Sequence, residues 1–258
     1  MRIRIGLDIG STAVKLAAVL ERCETSDPVN VLSESSTFHL IREAFEKSCP
    51  LIPGAIAVSE YRRSKGNPYQ AALDLLREFQ VALPGSCRTL IGVTGSGGRR
   101  VADALGVPST NEFKAIARGV SAIYPHVRTI FEMGGENSKY LLLDPPASRN
   151  SAEHIGRFEG SAGILDYSMS SQCAAGTGSF IDQQASRLRY RVEDIGEVVM
   201  QAHAAARIAG RCSVFAKSDM IHAQQKGYTT AEVLKGLCEA VARNFKSNIV
   251  KGRKVLAP

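Results

Sequence analysis

Apolar and polar side chains alternate strictly at the start of the chain, with Ile3, Ile5 and Leu7 set against Arg4, Gly6 and Asp8. A period of two predicts a half-buried strand. Asp8-Ile9-Gly10-Ser11-Thr12 reads as a tight polar turn, and Ala13 to Leu20 as the return strand. A loose stretch rich in Ser, Asp and Pro follows. Residues 40–48 predict a short helix, and 54–59 a buried strand. Ala71, Leu75 and Phe79 recur at helical spacing and predict an amphipathic helix over 68–80. Arg88 to Val93 is another strand, running into Thr94-Gly95-Ser96-Gly97-Gly98 and a helix from about Arg100.

The second half restarts the rhythm. After a helix at 112–123, Val127 to Glu132 reads as a strand, Gly134-Gly135 as a turn, and Ser138 to Leu143 as the return strand. Strand, acidic residue, Gly turn, polar residues and strand therefore occur twice, at 3–20 and 127–143. That repeat predicts two related α/β halves around a cleft, divided as 1–125 and 126–258. Helices follow at 177–189, 192–204, 214–226 and 229–249, the last with Leu234, Leu237, Val241, Phe245 and Ile249 on one stripe. Val255 to Pro258 reads as the approach to a further strand, so the expectation is a fold truncated at its C-terminus.

Composition narrows the class. The chain has 258 residues, 44% hydrophobic and 22% charged, an ordinary globular balance sufficient for a core. No run approaches the roughly 18 apolar residues of a membrane span. The N-terminus lacks the apolar stretch of a signal peptide, so the expected location is cytoplasmic. The net charge of +7 is scattered in short groups, Trp is absent and aromatics are only 6%. This argues against nucleic-acid binding and for solvated basic faces with some attraction to polyphosphate or an acidic partner. Six cysteines without a CxxC pair argue against a disulfide framework and a self-contained zinc site.

The chemistry gathers in the Gly turns. Gly10 permits a positive φ, and successive backbone N–H groups with the Ser11 and Thr12 hydroxyls then form a cradle for phosphate oxygens. Asp8 would repel phosphate, so its natural role is to hold Mg²⁺ through water, with Lys15 adding charge. No GxxxxGK[ST] or GxGxxG is present, so this is neither a Walker loop nor a dinucleotide fingerprint. A plain β-turn is the competing reading. Glu132-Met133-Gly134-Gly135-Glu136-Asn137 is the second copy, and two such loops facing one another would clamp phosphates from both halves. The Thr94-Gly95 turn either closes the same cleft or caps the helix behind it.

Cys173 and Cys212 each stand just ahead of a predicted helix, where the dipole and free N–H groups favour a thiolate. Two thiolates do not complete a four-Cys cluster site, but two from each protomer of a dimer would. From the residues alone the alternative stays open that both are buried as small apolar side chains, the reading kept for Cys23, Cys49, Cys87 and Cys238.

Asp8-Ile9-Gly10-Ser11-Thr12, Thr94-Gly95, Glu112 with Gly119, Gly134-Gly135, Cys173-Ala-Ala-Gly-Thr-Gly178 and Cys212-Ser-Val-Phe-Ala216 occur in an order that resembles the BadF/BadG/BcrA/BcrD ATPases, which include the activators of 2-hydroxyacyl-CoA dehydratases. The resemblance covers nearly the whole chain. It implies a duplicated α/β fold of the acetate and sugar kinase/Hsp70/actin-like (ribonuclease H-like) type and a homodimer. It implies ATP with Mg²⁺, and a [4Fe–4S] cluster held by Cys173 and Cys212 of each protomer. Asp8, Glu132 and Glu112 become the catalytic carboxylates. Gly10, Ser11, Thr12, Lys15, Thr94, Gly95, Gly134, Gly135 and Glu136 become nucleotide-site residues. ATP hydrolysis would drive an electron from a ferredoxin or flavodoxin donor onto an acyl-CoA dehydratase, an aryl-CoA reductase or another double-cluster protein. The chain departs from the compact activators in three places: Glu132 for Asp, Glu136-Asn137 for Gln-Asp, and an insert at Tyr61 to Gly66. The family's adenosine-contacting Gly-Gly loop would fall beyond residue 258. Two other classes remain as expectations: a sugar or carboxylate kinase of the same superfamily, and a non-catalytic nucleotide-sensing module.

Overall fold

The computed structural model describes residues 2–20, 36–41, 55–83, 87–144, 163–170, 176–209 and 213–257. By internal contacts the chain divides into two compact units. Unit one comprises Met1–Val127 with Leu143–Gly163, and unit two Arg128–Leu142 with Ile164–Pro258.

Unit one is built on the hairpin of β1 (Arg2–Ile9) and β2 (Ala13–Leu20), antiparallel from Ile3↔Leu20 to Ile9↔Val14. The alternation read from the sequence is what the sheet uses. Ile3, Ile5, Leu7 and Ile9 are buried, while Arg4 is exposed on the other face. The remaining strands are β3 (Phe38–Ile41), β4 (Ala55–Ser59), β5 (Arg62–Arg63) and β6 (Arg88–Thr94). Their order is β3-β4-β2-β1-β6, with β5 added to the start of β2. Among the described strands of this sheet, β1 and β6 are the pair that runs parallel, from Arg2↔Arg88 to Asp8↔Thr94.

Helix α1 (Pro68–Val81) lays Ala71, Ala72, Leu75 and Phe79 on this sheet. Each large apolar side chain buried in this way contributes about 1.5–3 kcal/mol. Asn67 caps the helix on the Gln70 amide, and Pro68 stands at the first turn, where its missing N–H costs nothing. Helices α2 (Gly98–Leu105) and α3 (Glu112–Ile123) complete the unit.

The short helix expected at 40–48 is corrected at its start. Residues 38–41 are a strand, paired from Phe38↔Ser59 to Ile41↔Ile56. Phe38 is buried, and its ring meets Phe79 edge-on at 5.1 Å. Pairing and aromatic packing outweigh local helix propensity there. Residues 42–48 lie outside the described residues.

Unit two holds β7 (Thr129–Met133), β8 (Ser138–Leu143, all but its last residue) and β9 (Ile164–Met169) in the order β7-β8-β9. Its helices are α4 (Gly178–Arg187), α5 (Ile195–Met200), α6 (Ser213–Gln225) and α7 (Thr230–Phe245). The expected helix at 192–204 is thus shorter, a 3₁₀ turn at Val192–Asp194 leading into α5. The stripe on α7 forms as read, with Leu234, Leu237, Val241 and Phe245 buried. The chain then widens into a π-helical turn, Lys246–Val250, which carries buried Ile249 onto Tyr140 and Leu142. A Cβ on Gly236 would stand 2.0 Å from the Ala206 carbonyl, so a backbone crosses α7 at that point. Strands β5 and β9 are additions that the periodicity did not announce.

Candidate functional site

The first turn is closed by the Gly10 N–H, which donates to the Ala13 carbonyl at 2.9 Å. The glycine is there for space rather than for a positive φ. Gly10 is not among the positive-φ glycines, but a Cβ on it would stand 2.9 Å from that same carbonyl oxygen. Asp8, next to last in β1, lies opposite Lys15, whose Nζ is 3.4 Å from Asp8 Oδ2 with both side chains about half exposed. Among the described residues neither the Ser11 nor the Thr12 hydroxyl has a hydrogen-bond partner. A tight turn, two available hydroxyls and a neighbouring open carboxylate together fit a phosphate with a hydrated Mg²⁺.

The third Gly turn backs onto the first. Gly97 N–H donates to the Ile9 carbonyl at 2.9 Å. Gly95 has φ +102°, and a Cβ there would stand 2.4 Å from the Ile9 oxygen. This position requires glycine on both counts. Thr94 pairs with Asp8 across the parallel strands, and its hydroxyl donates to the Thr110 carbonyl at 2.9 Å. Glu112 opens α3 two residues later, behind the Asn111 cap. Asp8, Gly10, Lys15, Thr94, Gly95 and the start of α3 are therefore gathered at the carboxyl end of β1 and β6. That end is where open α/β sheets place their ligands.

The second turn repeats the first in register. Gly134 N–H donates to the Asn137 carbonyl at 2.9 Å, and Glu132 pairs across the hairpin with Lys139, as Asp8 does with Lys15. A Cβ on Gly134 would meet the Asn137 oxygen at 2.6 Å and Glu132 Oε1 at 2.9 Å. Glu136 is exposed at the tip. The charged pair differs in setting: Lys139 Nζ lies 2.9 Å from Glu132 Oε2, with the lysine side chain only 5% exposed. Sequence reading missed Lys139, although the acid-to-lysine spacing of seven, the same in both turns, carried the signal.

The second turn also binds a helix. Gly178 N–H donates to the Gly134 carbonyl at 2.8 Å, and Ser179 N–H to that of Gly135 at 2.9 Å. The Ser179 hydroxyl reaches the Gly135 carbonyl as well. Buried Ser138, next on the strand, donates from Oγ to the Gly176 carbonyl at 2.7 Å and accepts at its own carbonyl from Ser170 N–H at 2.8 Å. Both flanks of residues 171–175 are thereby tied to one side chain and its backbone. Cys173 and Cys212 themselves lie outside the described residues, as do Cys23 and Cys49. Cys87 and Cys238 are free and half-buried, and burial raises the Cys238 pKa, which keeps it a thiol.

Comparison with known proteins agrees with this geometry. The profile of the BadF/BadG/BcrA/BcrD ATPase family matches residues 5–255, and the chain belongs to that family. It is 32% identical over 155 residues to a 2-hydroxyisocaproyl-CoA dehydratase activator of Clostridioides difficile, covering 60% of this chain and 52% of the relative. It is 28% identical over 145 residues to the (R)-2-hydroxyglutaryl-CoA dehydratase activating ATPase of Acidaminococcus fermentans, covering 56% and 50%. The chain thus spans about half the length of the curated relatives it matches. Among solved structures, the Clostridium difficile 2-hydroxyisocaproyl-CoA dehydratase activator with bound ADPNP superposes with a TM-score of 0.67 at 26% identity, covering 98% of this chain and 77% of that one. The fold is the actin-like α/β fold.

Proposed function

We propose that this chain is the nucleotide- and cluster-bearing part of an ATP-driven activator, which passes low-potential electrons to a 2-hydroxyacyl-CoA dehydratase or related reductase. Family membership and the activators among its relatives support the class. One observation carries the coupling: the carbonyls of Gly134 and Gly135 accept hydrogen bonds from the first amides of α4, the helix that follows the Cys173-Ala-Ala-Gly-Thr-Gly element. A shift of the second turn is transmitted to that helix start, because two backbone bonds and the Ser179 hydroxyl join them.

In this reading the first turn takes the phosphates on its amides and on the Ser11 and Thr12 hydroxyls. Asp8 holds Mg²⁺ through water, with Lys15 adding charge beside it. Thr94 pairs with Asp8 from the parallel strand, and Gly95 packs on the Ile9 backbone beside it. Glu132, steadied by Lys139, and Glu112 at the start of α3 are the further catalytic carboxylates. The Cys173 and Cys212 thiolates of two protomers together hold one [4Fe–4S] cluster, which supplies the one-electron step. A ferredoxin or flavodoxin is the donor and the cytoplasm the setting.

Anaerobic reconstitution of the full-length protein tests this. About four irons per dimer, lost in Cys173→Ala and in Cys212→Ala, and an ATPase that needs no phosphoryl acceptor are expected. A well-folded dimer without iron, or hydrolysis that depends on a sugar or carboxylate acceptor, would favour the kinase reading instead.

A further inference from the structure

The segment Tyr61 to Asn67, which contains the Tyr61–Gly66 stretch expected from the resemblance to be an insert, is built onto the first turn. Arg62 and Arg63 pair with Val14 and Ala13. Ser64 N–H donates to the Thr12 carbonyl at 2.9 Å, and Ser64 Oγ to the Ser11 carbonyl at 2.6 Å. Ser64 is 4% exposed. Lys65 and Gly66 both take positive φ, +46° and +82°, and Asn67 N–H returns to the Ser64 carbonyl at 2.8 Å. Two successive left-handed residues closed by that bond turn the chain sharply back from Ser64.

Both ends of the segment are anchored. Arg62 makes two bonds of 2.6 Å to the Glu78 carboxylate on α1, and Asn67 caps the same helix. Just ahead of the first anchor, Tyr61 stands with Lys15 Nζ and the Arg63 guanidinium each 6.0 Å from its ring.

From this geometry we infer that Ser64 is a positioning residue of the phosphate loop, and that the Tyr61 to Asn67 segment is a structural part of the nucleotide site. The reason is the planar trans peptide. A carbonyl and the N–H of the next residue lie in one plane and point in opposite directions. Holding the Ser11 carbonyl on the β5 side therefore aims the Thr12 N–H away from it, as a donor for phosphate. Ser64→Ala leaves its own backbone bond to Thr12 in place and frees only the Ser11–Thr12 peptide. The inference rests on the proposed nucleotide site in the first turn.

Equilibrium binding of fluorescent ADP and ATP analogues with Mg²⁺, and steady-state ATPase, measured on full-length wild type, Ser64→Ala and Ser64→Thr, test it. Ser64→Ala is expected to weaken nucleotide binding about 3- to 10-fold, the range set by one hydrogen bond of ordinary net strength. KM should rise by a similar factor with kcat nearly unchanged, and Ser64→Thr, which keeps the hydroxyl, should bind like wild type. Wild-type affinity in a folded Ser64→Ala overturns the inference. So does equal weakening by Ser64→Thr, which would make the effect one of packing rather than of the hydroxyl. If Ser64→Ala does not fold, Ser64→Thr decides alone, since near-wild-type binding supports the hydroxyl and a clear loss refutes it. If wild type itself binds no nucleotide, it is the function reading that fails.

Discussion

Single residues separate two kinds of charge pair that look alike in the sequence. Asp8–Lys15 and Glu132–Lys139 share one spacing and one register, but the first is about half exposed and the second has a lysine only 5% exposed. A surface pair contributes about 0–1 kcal/mol, whereas removing one partner of a buried pair costs about 3 kcal/mol. Lys15→Ala should therefore leave the urea unfolding midpoint nearly unchanged and Lys139→Ala should lower it clearly; equal effects would contradict the burial argument. Gly95→Ala should cost about 2–4 kcal/mol, because the backbone sits at positive φ and the added carbon meets the Ile9 carbonyl. Ser96 is the control, an exposed residue of the same turn that should accept alanine. Gly10 and Gly95 were legible as important residues, but the reason for Gly10 was not. A sequence marks a glycine; it does not show that the space is taken by a carbonyl three residues on.

At the scale of elements, caps and ion pairs set the margins. Helix α7 begins with a reciprocal capping box, Thr229 bonded to the Glu232 amide and the Glu232 carboxylate to the Thr229 amide. Thr229→Ala should cost about 1 kcal/mol, visible as a fall in thermal midpoint. Between β5 and α1, the Arg62 guanidinium holds the Glu78 carboxyl below its ordinary value of 4.5. A depressed folded-state value means that the pair's contribution is present above about pH 4.5 and fades as the pH falls through the lower folded value. Chemical denaturation from about pH 3 to pH 6 should show a steeper acid loss of stability in wild type than in Glu78→Gln. Strands with period two and helices with long apolar stripes were readable in advance. Strand β5 was not, since two arginines carry no hydrophobic period, and β3 was misread because its strand state comes from pairing with β4 and packing on Phe79.

For the molecule as a whole, the proposed nucleotide site links stability to ligand. Nucleotide at a hundred times its dissociation constant should stabilise the fold by about 2.7 kcal/mol, read as a rise in melting temperature. Asp8→Ala should abolish the Mg²⁺-dependent part of that rise; an undiminished rise would remove Asp8 from the metal's role. The actin-like fold was implied by the resemblance that the motifs carry, whereas the residues alone determined two α/β halves, the doubled strand–turn–strand unit and the order of the motifs. These last follow from periods of two and 3.6 and from glycines in fixed places, all local in the chain. Tertiary structure alone decided what those motifs touch. It put Ser64 on the first turn from 53 residues away and α4 on the second from 44, and it buried Lys139 while leaving Lys15 in water. Contacts between distant segments depend on how sheets and helices stack, and no local pattern of hydrophobic and polar residues encodes that.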